Sequence, residues 1–290
     1  MFTGCMTALI TPFAGGDVDH RALADLIEAQ IAGGVHGVVP CGSTGEAATL
    51  THDEHIAIVR EVVRLVRGRV PVIAGTGSNS TAEAIRLTRA AEEAGADGAL
   101  LISPYYNKPT QEGIYRHYAA VAEATRLPLI VYNIPGRTSS NISAETMGRL
   151  SRVPSVVGVK EASGSLAHVL EVIQASGPDF AVYSGDDILT LPIMAAGGKG
   201  VIAVTANLVP RDFATLAEAL LAGDLERGRT LMRRLLPLVQ ATSLEVNPLP
   251  VKTALAMMGR CAEEFRLPLT CMSAPARATL EKVLREYELV

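Results

Sequence analysis

Residues 128–160 read PLIVYNIPGRTSSNISAETMGRLSRVPSVVGVK, and they contain the unit from which the fold can be predicted. Two short apolar runs, at 128–132 and 155–160, flank a longer stretch with a helical pattern. Neither run alternates apolar with polar residues, as is typical of parallel strands covered on both faces. The stretch therefore predicts a strand–helix–strand unit with a right-handed crossover.

The same unit recurs along most of the chain. Near-continuous apolar runs that predict strands lie at 5–10, 35–39, 70–74, 97–102, 128–132, 155–160, 179–183 and 199–203. A helical pattern follows each run, and the last of these patterns ends near Ala222. Eight such units favour an α/β fold, a closed (β/α)8 TIM barrel, over the alternative of an open doubly wound sheet. No GxGxxG motif follows the first run, which counts against a dinucleotide-binding sheet.

Short polar and glycine signals mark several helix ends. Thr51 with Glu54, and Ser80 with Glu83, match the capping-box pattern at the start of a helix. Gly33-Gly34 and Gly95 follow helical stretches, at positions where a left-handed residue is favoured.

The strand pattern stops at Asp224. Residues 224–290 predict three helices, at about 224–242, 250–260 and 274–287, with Pro248 and Pro250 separating the first from the second. We therefore divide the chain into a barrel over 1–223 and a C-terminal helical extension over 224–290. We expect the extension to pack on the outside of the barrel or on another subunit.

Composition excludes several classes of protein. The chain has 290 residues, of which 48% are hydrophobic, and a net charge of −4, so a disordered chain is excluded. Acidic residues (30) outnumber basic ones (26), which argues against a nucleic-acid partner. No apolar run has the length of a membrane span, and the initial MFTGCMTALITPF lacks the basic segment of a secretory signal. The four cysteines form no CxxC pair, so we expect a reducing, cytoplasmic location.

In a barrel of this kind, the residues that follow the strands carry the chemistry. Lys160 ends an apolar strand in a chain with only five lysines, and burial there favours a neutral amine that can form a Schiff base with a ketone. Tyr132 ends the preceding strand and could transfer protons to such an imine. The alternatives are a lysine that extends to solvent and a core tyrosine whose hydroxyl bonds to the backbone.

Two loops could bind carboxylates. Residues 42–46, GSTGE, follow the second strand, and their amides and hydroxyls could hold an anion, although many strand–helix turns look alike. Arg137 lies in a tight turn, where it suits bidentate carboxylate binding or is simply solvated.

His52 and His55 have metal-ligand spacing but no third ligand, so we expect surface histidines and no metal. Asp186 or Asp187 is expected to cap the following helix.

These residues belong to longer motifs that resemble one family over essentially the whole chain, the dihydrodipicolinate synthase / N-acetylneuraminate lyase family. The matching segments are GSTGEAATL at 42–50, AGTGSNSTAEAI at 74–85, SPYYNKPTQEG at 103–113, YNIPGRT at 132–138, GVKEASG at 158–164, YSGDD at 183–187 and NPLPVK at 247–252. The resemblance implies a (β/α)8 class I aldolase that forms an imine with pyruvate and needs no metal or cofactor.

The resemblance also implies roles for single residues. Lys160 is then the Schiff-base lysine and Tyr132 the proton shuttle, with Thr44 and Tyr106 completing its relay. In the family the tyrosine at the position of Tyr106 reaches in from the neighbouring subunit, which implies a tight dimer, and we expect a homotetramer built from two such dimers. The other residues implied to bind substrate are Ser43, Thr44, Gly45, Gly185 and the carbonyl of Ile202.

Arg137 distinguishes subgroups within the family. In the synthases an arginine in this turn binds the carboxylate of L-aspartate-4-semialdehyde, and the product is 4-hydroxy-tetrahydrodipicolinate, on the route to diaminopimelate and lysine. Tyr106 favours the same subgroup, whereas Ser43-Thr44 replaces two threonines and resembles the lyases. The alternatives are a sialic acid lyase or a keto-deoxy-sugar-acid aldolase, and, from another class, a non-catalytic keto-acid sensor.

A regulatory lysine site is a further implication of the resemblance. Lysine-inhibited members bind lysine at the subunit interface through residues that match Ala48, His52, His55, Asn79, Glu83 and Tyr105. Glu83 could pair with the ammonium group of the ligand. The position of Ala47 is often serine in the family, so one hydrogen bond is expected to be lost. The alternative is two capped helix starts with ordinary interface polarity.

Overall fold

A computed structural model describes residues 2–290 and contains one main parallel sheet. The strands, in chain order, are β1 (Gly4–Ala8), β2 (Phe13–Ala14), β3 (Asp17–Val18), β4 (Gly37–Val39), β5 (Ile73–Gly75), β6 (Gly98–Ile102), β7 (Leu129–Asn133), β8 (Val156–Glu161), β9 (Ala181–Ser184) and β10 (Gly200–Ala203). β2 and β3 form a small antiparallel hairpin, and the other eight strands form the sheet.

The eight-stranded sheet closes on itself. Its strand order is β4-β1-β10-β9-β8-β7-β6-β5, and a parallel bridge between Val38 and Val72 joins the two ends. The Gly75 amide also donates to the Pro40 carbonyl at 2.9 Å across this seam. The predicted (β/α)8 TIM barrel is therefore confirmed, and the open sheet is excluded.

Helices surround the barrel. They are α1 (His20–Ala32), α2 (His52–Val66), α3 (Thr81–Ala94), α4 (Gln111–Ala124), α5 (Pro135–Thr138), α6 (Ala144–Leu150), α7 (Leu166–Ser176), α8 (Thr190–Ala195), α9 (Pro210–Leu221), α10 (Leu225–Ala241), α11 (Leu249–Met257) and α12 (Ala274–Glu286). None of the helices within residues 2–290 is long and apolar enough to cross a membrane.

Two details of the helix ends differ from the sequence prediction. Thr51 and Glu54 form the full capping box of α2, but at α3 only the Ser80 side chain caps, because the Glu83 carboxylate bonds elsewhere. Gly34 and Gly95 are left-handed as expected, with φ of 82° and 86°, whereas Gly33 is right-handed with φ of −74°. Position 33 requires a glycine for a steric reason, because a Cβ there would lie 2.5 Å from the Pro210 side chain.

The core has two layers. Inside the barrel, large apolar side chains from successive strands pack together, among them Met6, Ile73, Ile130, Tyr183 and Ile202. A larger layer lies between the sheet and the helices. The apolar runs therefore bury both faces of each strand, which is why their sequence does not alternate.

The C-terminal helices α10, α11 and α12 lie near the predicted positions and pack on this chain's own barrel. An ion pair joins Arg266 to Glu54 at 2.6 Å, and a buried one joins Lys252 to Glu46 at 2.6 Å. The segment between α10 and α11 reaches the carboxyl ends of the strands, where Asn247 bonds to Thr44. The division of the chain at 223/224 stays a prediction.

Candidate active site

A cavity of about 240 Å³ opens at the carboxyl ends of the barrel strands. Five predicted site residues line it: Thr44, Tyr132, Arg137, Lys160 and Gly185. The other lining residues are Ile134, Ala162, Asp186, Asp187, Val204, Thr242, Ser243, Glu245 and Asn247. A larger, open depression of about 450 Å³ is lined mainly by charged residues at the ends of α3 and α4 and contains none of the predicted residues. The smaller cavity is therefore the candidate site.

Lys160 and Tyr132 lie side by side on adjacent strands. They are register partners between β7 and β8, and Lys160 Nζ lies 4.3 Å from the centre of the Tyr132 ring. Lys160 is only 4% exposed, so it does not extend to solvent. Burial lowers the pKa of Lys160 to about 8; the Asp187 carboxylate opposes this effect and the Arg137 guanidinium adds to it. The amine is therefore nucleophilic near neutral pH.

Gly185 leaves room for the lysine side chain. A Cβ at this position would lie 2.9 Å from Lys160 Cγ and 2.9 Å from the Ala162 side chain. The Gly185 amide donates to the Glu161 carbonyl at 2.8 Å, which fixes the turn after β9. A larger residue would therefore displace the amine or the turn.

The Tyr132 ring packs against the inner core and also lines the cavity. Burial raises the pKa of its hydroxyl above the ordinary value, an effect that the Arg137 charge partly opposes. The hydroxyl is therefore protonated at neutral pH and can donate a proton to a group bound beside Lys160.

Arg137 lies on α5 at the rim of the cavity. One guanidinium nitrogen donates to the Asn247 carbonyl at 2.9 Å, so the C-terminal segment holds the side chain. The Asn247 side chain in turn donates to Thr44 Oγ1 at 2.9 Å. The arginine is thus tethered rather than freely solvated, and its remaining donors are available for a substrate carboxylate.

The other predicted substrate residues lie near the cavity without lining it. Ser43 and Gly45 flank Thr44 in the loop after β4, and the Gly45 carbonyl accepts from Thr11 Oγ1 at 2.7 Å. The Ile202 side chain is buried in the inner barrel core. Tyr106 stands apart, 89% exposed and with a left-handed φ of 71°, and it does not line the cavity of its own chain.

Asp187 is a site residue whose place the sequence did not indicate. Asp186 caps the short 3-10 turn that precedes α8, and α8 itself has no side-chain cap, so the predicted helix cap is displaced by one turn. Asp187 is buried and accepts from the amides of Val204 and Thr205, at 3.2 and 2.7 Å. Burial raises the pKa of the Asp187 carboxyl, while these bonds and the Lys160 charge lower it. A second aspartate directly after a strand end was the only signal, and it indicates a cap equally well.

The cavity lining from Thr242 to Asn247 was also missed. This segment lies in the C-terminal extension and follows a helix rather than a strand, so the rule that site residues follow barrel strands does not predict it. The NPLPVK motif, which begins at Asn247, was the one sequence signal for it.

The six residues of the predicted lysine site do not line this cavity. His52 forms an ion pair with Glu83, which also accepts from Ser78 Oγ. His55 is 6% exposed, with Nε2 bonded to the Gly75 carbonyl at 2.7 Å, so its prediction as a surface histidine was wrong. No cluster of ligand-type residues suited to a metal occurs within residues 2–290.

The remaining members of the predicted lysine site are close to the surface. Ala48 is exposed, whereas Asn79 and Tyr105 are half-buried. The Asn79 carbonyl accepts from the Asn107 side chain at 3.0 Å, which joins the loop after β5 to the loop after β6.

Comparison with known proteins identifies the family of the chain. The model of the dihydrodipicolinate synthetase family matches residues 1–287. The 4-hydroxy-tetrahydrodipicolinate synthase of Syntrophus aciditrophicus is 52% identical over 290 residues, covering 100% of both chains.

Two solved structures are similar along the whole chain. The dihydrodipicolinate synthase of Acinetobacter baumannii, complexed with pyruvate, is 43% identical, with a TM-score of 0.98 and 100% of both chains covered. The enzyme of Cyanidioschyzon merolae, with lysine bound, is 40% identical, with a TM-score of 0.96, covering 100% of this chain and 99% of that one. The chain belongs to the dihydrodipicolinate synthetase family.

Proposed function

We propose that this chain condenses pyruvate with L-aspartate-4-semialdehyde to give 4-hydroxy-tetrahydrodipicolinate, as a lyase of lysine and diaminopimelate biosynthesis. The observation that carries the proposal is the buried Lys160 amine beside Tyr132, with the tethered Arg137 at the same cavity. Family membership and the names of full-length relatives support the same reaction.

The first step is imine formation. The neutral Lys160 amine attacks the pyruvate ketone, and Tyr132 protonates the departing hydroxyl so that water leaves. The loop of Ser43, Thr44 and Gly45 holds the pyruvate carboxylate. The positive imine nitrogen then serves as the electron sink, so the reaction requires no further cofactor.

Carbon–carbon bond formation follows. Tyr132, which gave up its proton in the first step, takes a proton from the methyl group to give the enamine. The enamine carbon then attacks the semialdehyde carbonyl, whose oxygen receives that proton from Tyr132 and becomes the product hydroxyl. Arg137 binds the semialdehyde carboxylate. Gly185 lines the pocket, and the Ile202 carbonyl is proposed to contact the bound substrate from beside it. The substrate amine then displaces Lys160 by transimination, which frees the enzyme and closes the ring.

Tyr106 acts in the active site of a second copy of the chain. Its 89% exposure and left-handed backbone leave the aromatic ring free to enter a neighbour. Tyr132 then passes protons through Thr44 to the Tyr106 of the partner protomer. We propose a tight dimer as the active unit, with two dimers in the tetramer, and analytical ultracentrifugation tests this assembly.

Lysine is proposed as an inhibitor that binds away from the cavity. The enzyme of Cyanidioschyzon merolae was solved with lysine bound. Here His52 and Glu83 are already paired across α2 and α3, and the Glu83 carboxylate could exchange that contact for the ligand ammonium. Ala48, His55, Asn79 and Tyr105 complete the proposed site.

The first experiment is a rate measurement with pyruvate and L-aspartate-4-semialdehyde, coupled to the reductase that consumes the product. Borohydride trapping with pyruvate runs in parallel and is expected to label Lys160. Label at Lys160 without turnover would refute the semialdehyde as substrate and favour a sugar-acid aldolase or a sensor. Label elsewhere, or none, would refute the Schiff-base assignment itself.

A further inference from the structure

Glu46 and Lys252 form an ion pair that the mechanism does not use. Lys252 Nζ lies 2.6 Å from Glu46 Oε1, and the two residues are 0% and 3% exposed. The pair joins the loop after β4 to helix α11, and neither residue lines the cavity. Burying two opposite charges costs solvation that their attraction only partly restores, so stability alone does not account for this pair.

The surroundings of the pair fix its geometry. Lys252 Nζ lies 4.0 Å from the centre of the Phe13 ring and 5.3 Å from that of Phe265. The second Glu46 oxygen accepts from the Arg266 amide at 3.3 Å. Glu46 also has a left-handed backbone, with φ of 54°, which a residue with a side chain keeps only when its surroundings hold it there.

Both partners are close in sequence to residues that line the cavity. Thr44 precedes Glu46 by two positions, and Asn247 precedes Lys252 by five. Thr44 and Asn247 bond to each other at 2.9 Å, and the Asn247 carbonyl holds Arg137. The ion pair and the Thr44–Asn247 hydrogen bond therefore connect the same two segments of the chain. The hydrogen bond lies at the wall of the cavity, and the ion pair lies outside the cavity.

We propose that Glu46 and Lys252 are positioning residues for pyruvate binding. Their ion pair holds the 42–46 loop at a fixed distance from the segment that begins at Asn247, so that Thr44 and its neighbouring amides stay where the pyruvate carboxylate binds. Neither residue touches substrate. The inference rests on the proposed function, because it assigns the pair to the pyruvate end of the same site.

The test compares two double variants. Glu46→Gln/Lys252→Met removes the buried pair without leaving an unpaired charge. Asp212→Asn/Arg234→Met is the control, since it removes another ion pair, of 3.6 Å, between a barrel helix and the C-terminal region, and neither residue contacts Glu46 or Lys252. Imine is trapped with borohydride over a range of pyruvate concentrations, and intact tetramer or dimer is used throughout.

In Glu46→Gln/Lys252→Met we expect the half-saturating pyruvate concentration to rise about tenfold, because small displacements of binding groups are costly. Full labelling is still expected at saturating pyruvate, and the control is expected to change less than about twofold. An unchanged half-saturation, or an equal rise in the control, overturns the proposal. A merely structural role would lower the melting temperature of both variants without separating their pyruvate affinities.

If the double variant does not fold, Glu46→Asp answers the same question. It keeps the charge but draws the carboxylate back by one methylene, and a higher half-saturating pyruvate concentration is expected. Wild-type affinity in this variant overturns the proposal. Failure of the wild-type protein to form any imine would instead refute the proposed function, so the two failures are distinct.

Discussion

The pH dependence of imine formation should report the charge balance around Lys160. An amine must be neutral to attack pyruvate, and burial lowers the pKa of Lys160 from 10.5 to about 8. At pH 7 about a tenth of such amines are neutral, against roughly 0.03% for an ordinary lysine, a gain of about 300-fold. The rate should therefore rise with pH and level off above about pH 8.

Two nearby charges should move this curve in opposite directions. Asp187 raises the pKa of Lys160, so Asp187→Asn should shift the curve to lower pH, and Arg137→Gln should shift it to higher pH because Arg137 lowers that pKa. The gain at pH 7 in Asp187→Asn is limited to about tenfold, since about a tenth of the amine is already neutral in the wild type.

The assay is the second-order rate of borohydride-trapped imine at low pyruvate, measured from pH 6 to 10, because this quantity reflects the free enzyme. Asp186→Asn is the matched control, because Asp186 also lines the cavity and is the chain neighbour of Asp187, and this variant is expected to leave the curve in place. A curve that stays in place or moves to higher pH in Asp187→Asn would refute the electrostatic reasoning. So would a wild-type midpoint near pH 10.

Three shorter predictions concern the same chain. Tyr132→Phe should slow imine formation by about 10²- to 10⁴-fold with unchanged circular dichroism, and a normal rate would remove Tyr132 from the proton path. Lys160→Met should raise the free energy of unfolding at pH 7 by about 3 kcal/mol, because the folded protein pays to keep this lysine charged. That gain should be full below about pH 8 and disappear as the pH rises towards 10.5, which urea titrations at pH 7 and 10 can check. Millimolar L-lysine should inhibit the wild type, and Glu83→Gln should weaken the inhibition; equal inhibition of both proteins would contradict the role of Glu83.

Most of the fold could be predicted because the strands are buried on both faces. Their continuous apolar runs begin and end within three residues of the observed strands. The hairpin of Phe13–Ala14 and Asp17–Val18 was not predicted, because two-residue strands have no periodicity to detect.

Local patterns failed where a distant residue competes for the same group. Ser80 and Glu83 repeat the spacing of Thr51 and Glu54, but the Glu83 carboxylate bonds to Ser78 and pairs with His52 on the neighbouring helix. These contacts leave the second capping box half formed. A pattern of residues 80–83 alone could not predict this, because it does not include His52.

The same distinction, between positions set locally and positions set by distant contacts, applies to the residues of the candidate site. Lys160 and Tyr132 could be predicted because parallel strands of a barrel end at one face, and adjacent strand ends are in contact. Asn247 could not, because its position depends on how the C-terminal segment docks. The sequence predicts only that Asp186 or Asp187 caps the following helix, because a helix cap and a buried carboxylate of the site can both be an aspartate that follows a strand.

The docking of the C-terminal segment makes it part of the candidate site, although the strand pattern ends at residue 223. Asn247 bonds to Thr44 and holds Arg137, so the residues proposed to bind pyruvate and the semialdehyde share one support. Lys252 neutralises the buried Glu46 carboxylate two residues from Thr44. Replacing Lys252 alone by an apolar residue would leave the Glu46 carboxylate buried and unpaired, which is strongly destabilising. The boundary predicted from sequence periodicity therefore separates two patterns of secondary structure, whereas the candidate site takes residues from both sides of it.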